Sequence, residues 1–205
     1  MKENKKGGIY MKKTNIFDLA ICAIETALVY VFTAFINVRL PIGGEGGIIH
    51  LGNIPLFIFA IICGKKIGMI CGGIGMALFD LMSGWATWAP FTLIIVGAMG
   101  FVVGAFAHKK TTYLTVTIGI ILAIIIKVVG YYFAELIIFG NPITPFSSIP
   151  GNIIQVGFAG IVTLVAFKPV AIATKNFRKD NALTSEEEPA FEESISDNDT
   201  AVDAR

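Results

Sequence analysis

Leu114-Thr-Val-Thr-Ile-Gly-Ile-Ile-Leu-Ala-Ile-Ile-Ile-Lys127-Val-Val-Gly-Tyr131-Tyr-Phe-Ala-Glu135-Leu-Ile-Ile138 is the stretch that decides the fold. A helix needs about 20 apolar residues to cross a hydrocarbon core, and this run is long enough. Its polar interruptions are ordered. Lys127, Tyr131 and Glu135 recur at i, i+4 and i+8, so an ammonium, a phenol and a carboxyl share one helical stripe. A charged group at mid-helix costs about 2.5–3.5 kcal/mol on insertion scales, so that stripe is expected to face the interior of a bundle.

Working outward, five further apolar runs complete the pattern: Phe17–Val38, Ile48–Cys63, Ile67–Met82, Trp88–Ala107 and Pro150–Phe167. The runs at 48–63 and 67–82 are short, with only Gly64-Lys65-Lys66 between them, and predict a tight helical hairpin. The first run is too long for a signal-peptide core and contains Asp18 and Glu25, so it is expected to be retained. The expectation is an all-α integral membrane protein, a six-transmembrane-helix bundle over residues 14–175. A basic N-terminus (1–13) precedes it and an acidic tail (176–205) follows. Composition agrees: 55% of residues are hydrophobic and only 15% charged, against about a quarter charged in soluble domains. That balance excludes an ordinary soluble domain, a nucleic-acid-binding module and a disulfide scaffold.

Residues 1–180 carry fifteen Lys/Arg and seven Asp/Glu, a net +8, whereas residues 181–205 carry one and eight, a net −7. The basic residues cluster before the first run, at Lys65–Lys66, at His108-Lys109-Lys110 and after the last run. Alternate loops carry only Arg39. The positive-inside rule therefore puts both termini in the cytoplasm.

Other polar residues in the runs fall toward the outer side: Asp80, the pair His50 and Asn53 opening the second run, and the pair Asn152 and Gln155 opening the sixth. Each can pair locally or cap its own helix. As a set they favour a polar cavity open to the outside. Trp85 and Trp88 fit either an interfacial belt or a wall stacking on a flat ligand. Glu25 has no evident partner. The segment Arg39-Leu-Pro-Ile-Gly-Gly-Glu-Gly-Gly47 is either a connector or a glycine-hinged lid. Small-x-x-x-small spacings at Gly68/Gly72 and Gly100/Gly104 suit close packing within the bundle, whereas Ala23/Ala27, with Ala20 a turn earlier, suit that or a partner subunit. Cys22, Cys63 and Cys71, without Cys-x-x-Cys spacing, are expected to be small buried apolar residues. Nucleotide-loop, zinc-protease and serine-hydrolase motifs do not occur. No metal site, no cofactor on this chain and no enzymatic activity are expected.

The pieces Gly47-Ile-Ile-His-Leu-Gly-Asn53, Gly72-Gly-Ile-Gly-Met-Ala-Leu-Phe-Asp80 with Ser83-Gly84, Ala89-Pro-Phe-Thr-Leu-Ile-Ile95, Lys127-Val-Val-Gly-Tyr-Tyr-Phe-Ala-Glu135 and Pro150-Gly-Asn-Ile-Ile-Gln155 occur in this order. Together, over about Asn15 to Lys175, they resemble the substrate-binding S components of energy-coupling factor (ECF) vitamin transporters, in the riboflavin, pantothenate and hydroxymethylpyrimidine branch. The acidic tail departs from the usual short C-terminus. The resemblance implies a multi-pass protein of the bacterial cell membrane that binds a water-soluble vitamin from outside. It also implies docking on a transmembrane T subunit, through Ala20, Ala23 and Ala27, and energy from two cytoplasmic ATPases. The expected ligand residues are Lys127, Tyr131, Asn152, Gln155, Trp85 and Trp88, with Asp80, His50, Asn53 and Glu135 supporting. A hydroxymethylpyrimidine- or pyridoxine-like heterocycle is favoured over pantothenate or riboflavin. The rival reading is a stand-alone secondary transporter or channel for a small polar solute.

Overall fold

The computed structural model describes residues 16–40 and 47–174. Six helices follow in chain order: α1 (Ile16–Phe35), α2 (Asn53–Cys63), α3 (Lys65–Met82), α4 (Ala89–Ala107), α5 (Tyr113–Phe139) and α6 (Ile149–Ala173). A single 3-10 turn, Thr144–Ser147, leads into α6. α4, α5 and the run Thr144–Ala173 are long and apolar enough to cross a membrane, while the apolar parts of α1 and α2 are shorter. The six expected runs thus correspond one for one to the six helices.

Two boundaries differ from expectation. The first run does not continue as helix to Val38, because α1 stops at Phe35. There the Asn37 side chain donates to the carbonyls of Thr33 (3.0 Å) and Ala34 (2.6 Å), occupying acceptors that a longer helix would use. The chain then forms an antiparallel hairpin, β1 (Asn37–Leu40) with β2 (Gly47–His50), in the register Asn37 opposite His50 and Leu40 opposite Gly47. This hairpin is a small addition to an otherwise all-helical fold. The second run accordingly starts as strand, and α2 is only 11 residues long. His50 and Asn53 therefore do not share a helical stripe: His50 ends β2 and Asn53 begins α2. Of the glycine-rich connector or lid, Arg39–Leu40 and Gly47 belong to the two strands, while residues 41–46 lie outside the described part. So do the basic N-terminus and the acidic tail.

Glycine spacing sets how closely the helices approach. A Cβ added at Gly100 of α4 would collide with the Gly68 carbonyl oxygen of α3, and one at Gly68 would lie 2.6 Å from the Ala60 Cβ of α2. At Gly104 an added Cβ would meet the Lys65 backbone at 2.6 Å. These faces thus serve internal packing. On α1, Glu25, Val29 and Thr33 are buried at i, i+4, i+8, whereas Ala20, Ala23 and Ala27 are exposed on another side. The cysteine expectation is corrected in one respect: Cys22 and Cys71 are joined as a disulfide between α1 and α3, 5.3 Å apart at Cα. The wide spacing that argued against a pair in sequence is bridged because these two helices pack side by side.

Among the described residues, Lys65–Lys66, His108–Lys110 and Lys168 gather at one end. The His108 Nδ1 lies 3.0 Å from the Ile61 carbonyl oxygen, near the end of α2 and the start of α3 with Lys65 and Lys66. Lys168 places its Nζ 4.2 Å from the Tyr113 ring centroid, beside Lys109 and Lys110 in the chain. The strand hairpin, the α3–α4 turn and the 3-10 turn occupy the opposite end.

Gly100→Ala is expected to lower the detergent melting temperature, since over-packing costs about 1–3 kcal/mol. Gly157→Ala is the control: an added Cβ there meets nothing within 4 Å, so the greater helix propensity of alanine leaves stability unchanged or raised. Equal melting temperatures for Gly100→Ala and the parent would refute the packing account.

Candidate ligand site

α5 brings Lys127 and Tyr131 inward, one turn apart. Lys127 is 2% exposed despite its charge type, and its Nζ lies 5.4 Å from the Tyr131 ring centroid. The Tyr131 hydroxyl is 2.9 Å from the Thr92 Oγ1 in the first turn of α4. Asp80, near the end of α3, sits beside the Thr92 hydroxyl and within electrostatic range of both Lys127 and Tyr131. Three helices therefore contribute an ammonium, a phenol, a hydroxyl and a carboxyl to one cluster. Such a set can donate and accept hydrogen bonds toward a small polar molecule.

His50 joins from the hairpin. Its burial, and secondarily the positive charge of Lys127, hold the imidazole well below its ordinary titration range. Its Nδ1 accepts from the Gly52 amide at 3.3 Å, a bond that needs an unprotonated Nδ1. Glu135, a turn beyond Tyr131, faces Ser148 at the start of α6. Gln155 is 2% exposed and its Nε2 has no partner. It lines a cavity of about 490 Å³ with Asn37, Leu51 and otherwise apolar residues from α1, β2 and α6. Asn53 is fully buried with both amide atoms unpartnered. Asn152 is half-buried in the first turn of α6, where its backbone amide donates to Ser148.

The tryptophans sit beside Asp80 and Thr92 in the chain's α3–α4 turn. Trp85 and Trp88 pack edge-to-face at 5.2 Å, and Trp88 lies 5.9 Å from Phe139 at the end of α5. They form an aromatic knot at the hairpin end, joined through the backbone to the polar cluster: the Trp85 amide donates to the Asp80 carbonyl at 2.9 Å and the Thr92 amide to the Trp88 carbonyl at 2.8 Å. Glu25 is buried with neither oxygen partnered, beside Gly72 in the α1–α3 contact. Sequence reading missed Thr92. Its position one turn after Trp88, in a helix-opening Ala-Pro-Phe-Thr, was available as a signal, but a lone threonine in an apolar run usually bonds its own backbone.

A family model described as ECF-type riboflavin transporter, S component, matches residues 13–172. The chain belongs to that family. The S-component family is one of transporters and not a class of enzymes, and the apolar helices fit its multi-pass place in the cell membrane. Among relatives, the chain is 30% identical over 175 residues to the thiamine precursor transporter HmpT of Lactococcus lactis subsp. cremoris, covering 82% of this chain and 98% of that protein. It is 36% identical over 103 residues to an uncharacterized protein in the gap 3′ region of Pyrococcus woesei, covering 50% of this chain and 69% of that one. A UPF0397 protein of Streptococcus agalactiae is 25% identical over 175 residues, covering 77% and 93%.

In this S component the Thr92–Tyr131 bond is testable alone. Thr92→Val strands the Tyr131 hydroxyl, and Tyr131→Phe removes it. A double-mutant cycle followed by thermal unfolding in detergent should return a coupling of about 0.5–1.5 kcal/mol. A coupling of zero would remove that bond from the site.

Proposed function

We propose that this S component captures a small water-soluble vitamin precursor from outside the cell and delivers it to an ATP-driven ECF importer. The observation that carries the reading is the buried Lys127, grouped with Tyr131, Thr92, Asp80 and His50 among apolar helices. An intramembrane ionisable residue of this kind is by default a functional one. A hydroxymethylpyrimidine- or pyridoxine-like heterocycle is the favoured cargo, ahead of pantothenate and riboflavin. The similarity to a protein named as a thiamine precursor transporter supports the pyrimidine.

In this reading Lys127 gives a charged hydrogen bond to a ligand oxygen or ring nitrogen. Tyr131, Gln155 and Asn152 give neutral ones, and Asp80 and His50 hold the ammonium in place. Asn53 and Glu135 border the site, and Trp85 and Trp88 supply its aromatic rim. The lysine clusters gathered at one end support a cytoplasmic placement of that end and of both termini. The hairpin end then faces outward. The membrane domain is 14–175, flanked by cytoplasmic segments 1–13 and 176–205. The exposed alanines Ala20, Ala23 and Ala27 suit close docking of α1 on a T subunit, which two cytoplasmic ATPases would drive.

Mass spectrometry of small molecules retained by the purified chain, followed by titration of candidate vitamins, tests the reading. Binding tighter than about 1 μM, roughly −8 kcal/mol, is expected for at least one, and none that tight would overturn it. Lys127→Ala should weaken that binding at least tenfold. Ala23→Leu with Ala27→Leu should abolish co-purification with the T subunit while leaving ligand affinity unchanged. Uptake into liposomes by the chain alone would indicate a stand-alone carrier instead.

A further inference from the structure

Two carboxamides near the hairpin are buried without the partners such groups require. Asn53 has neither its Nδ2 nor its Oδ1 bonded, and Gln155 has a free, buried Nε2. Buried polar atoms are almost always hydrogen-bonded, and an exception calls for an explanation. Their setting supplies one. Asn53 follows Gly52, whose amide donates to His50, and His50 lies in electrostatic range of Lys127. Gln155 borders the cavity that Leu51, two residues before Asn53, also lines. Gln155 thus lines a cavity at the hairpin, and Asn53 follows His50 by three residues at the start of α2.

We propose that Asn53 reads a donor–acceptor edge of the ligand. Its Nδ2 donates to a ring nitrogen, its Oδ1 accepts from the adjoining amino group, and the Gln155 Nε2 donates to a further ligand acceptor. The inference rests on the vitamin-binding reading above and narrows it to an aminopyrimidine. An asparagine carboxamide matches an amino group beside a ring nitrogen with two parallel hydrogen bonds, as it does on adenine. Pyridoxine offers no such edge, because its ring nitrogen is flanked by C–H and C–CH₃. A site built to bond a polar group discriminates strongly against an analogue lacking it, since its own buried groups are then left unpaired.

The test is calorimetric titration of the full chain in detergent with hydroxymethylpyrimidine, its analogue lacking the amino group, pyridoxine, pantothenate and riboflavin. For the parent protein, deleting the amino group should weaken binding about tenfold to a hundredfold. Asn53→Leu and Asn53→Asp should bind hydroxymethylpyrimidine at least tenfold more weakly than the parent, and in them the loss on deleting the amino group should shrink to within about threefold. Gln155→Leu should weaken both compounds alike. Unchanged affinity of Asn53→Leu for hydroxymethylpyrimidine overturns the inference. So does a parent protein that binds the amino-free analogue or pyridoxine as tightly as the aminopyrimidine, or that binds only riboflavin or pantothenate; the vitamin-binding reading survives all three results. The parent comparison needs no variant to fold. If the parent binds none of the five, both readings fall together.

Discussion

Backbone contact between α3 and α4 is the constraint on which the other features depend. Where Gly68 faces Gly100 there is no room for a Cβ, and Gly73 approaches Leu93 and Gly97 just as closely. In lipid no hydrophobic drive holds helices together, so close packing of small residues must supply the attraction. This contact also fixes the site. α3 ends near Asp80, α4 begins just before Thr92, and only a tight pairing of the two sets those side chains against Lys127 and Tyr131 of α5.

The interior formed in this way is of mixed character. Leu56, Phe57, Met76, Val96, Met99 and Val103 make a continuous apolar core, and Lys127, Asn53 and Gln155 are buried with it. An apolar filling of the same volume would be cheaper for folding, because buried polar groups must be matched by partners. Asn53 opens α2 behind the hairpin and Gln155 lies in the second turn of α6, whereas Lys127 sits midway along α5. Glu25 differs: it lies in the α1–α3 contact beside Gly72 and is not assigned to that cluster.

Helix number and order were legible in the sequence because long apolar runs interrupted by lysine pairs leave few alternatives. The Lys127–Tyr131 relation was legible too, since both residues belong to one uninterrupted helix and spacing alone sets their stripe. Relations across elements were not. The periodicity that put His50 and Asn53 on one helix failed because a side chain, Asn37, ends α1 early and turns the chain into a strand hairpin that takes up His50. Thr92 was hidden for a similar reason: its partner is 39 positions away. The Cys22–Cys71 pair, 49 residues apart, likewise depends on which helices are neighbours.

α1 shows how one helix separates two tasks by face. Its buried stripe, Glu25, Val29 and Thr33, is held against α2 and α3, and the disulfide and the Thr26 hydroxyl bond to the Cys71 carbonyl tie it to α3. Its alanines at 20, 23 and 27 point away from that contact and remain uncovered within the chain. Large apolar side chains would suffice against lipid tails alone. Small ones let another helix approach closely, and on α1 the small residues stay exposed within the chain. The same helix then ends at the Asn37 cap, where the hairpin leads directly to His50 and Asn53. Because the disulfide ties α1 to α3 and α3 packs on α4, the hairpin-borne His50 and the α5-borne Lys127 are held in one connected framework.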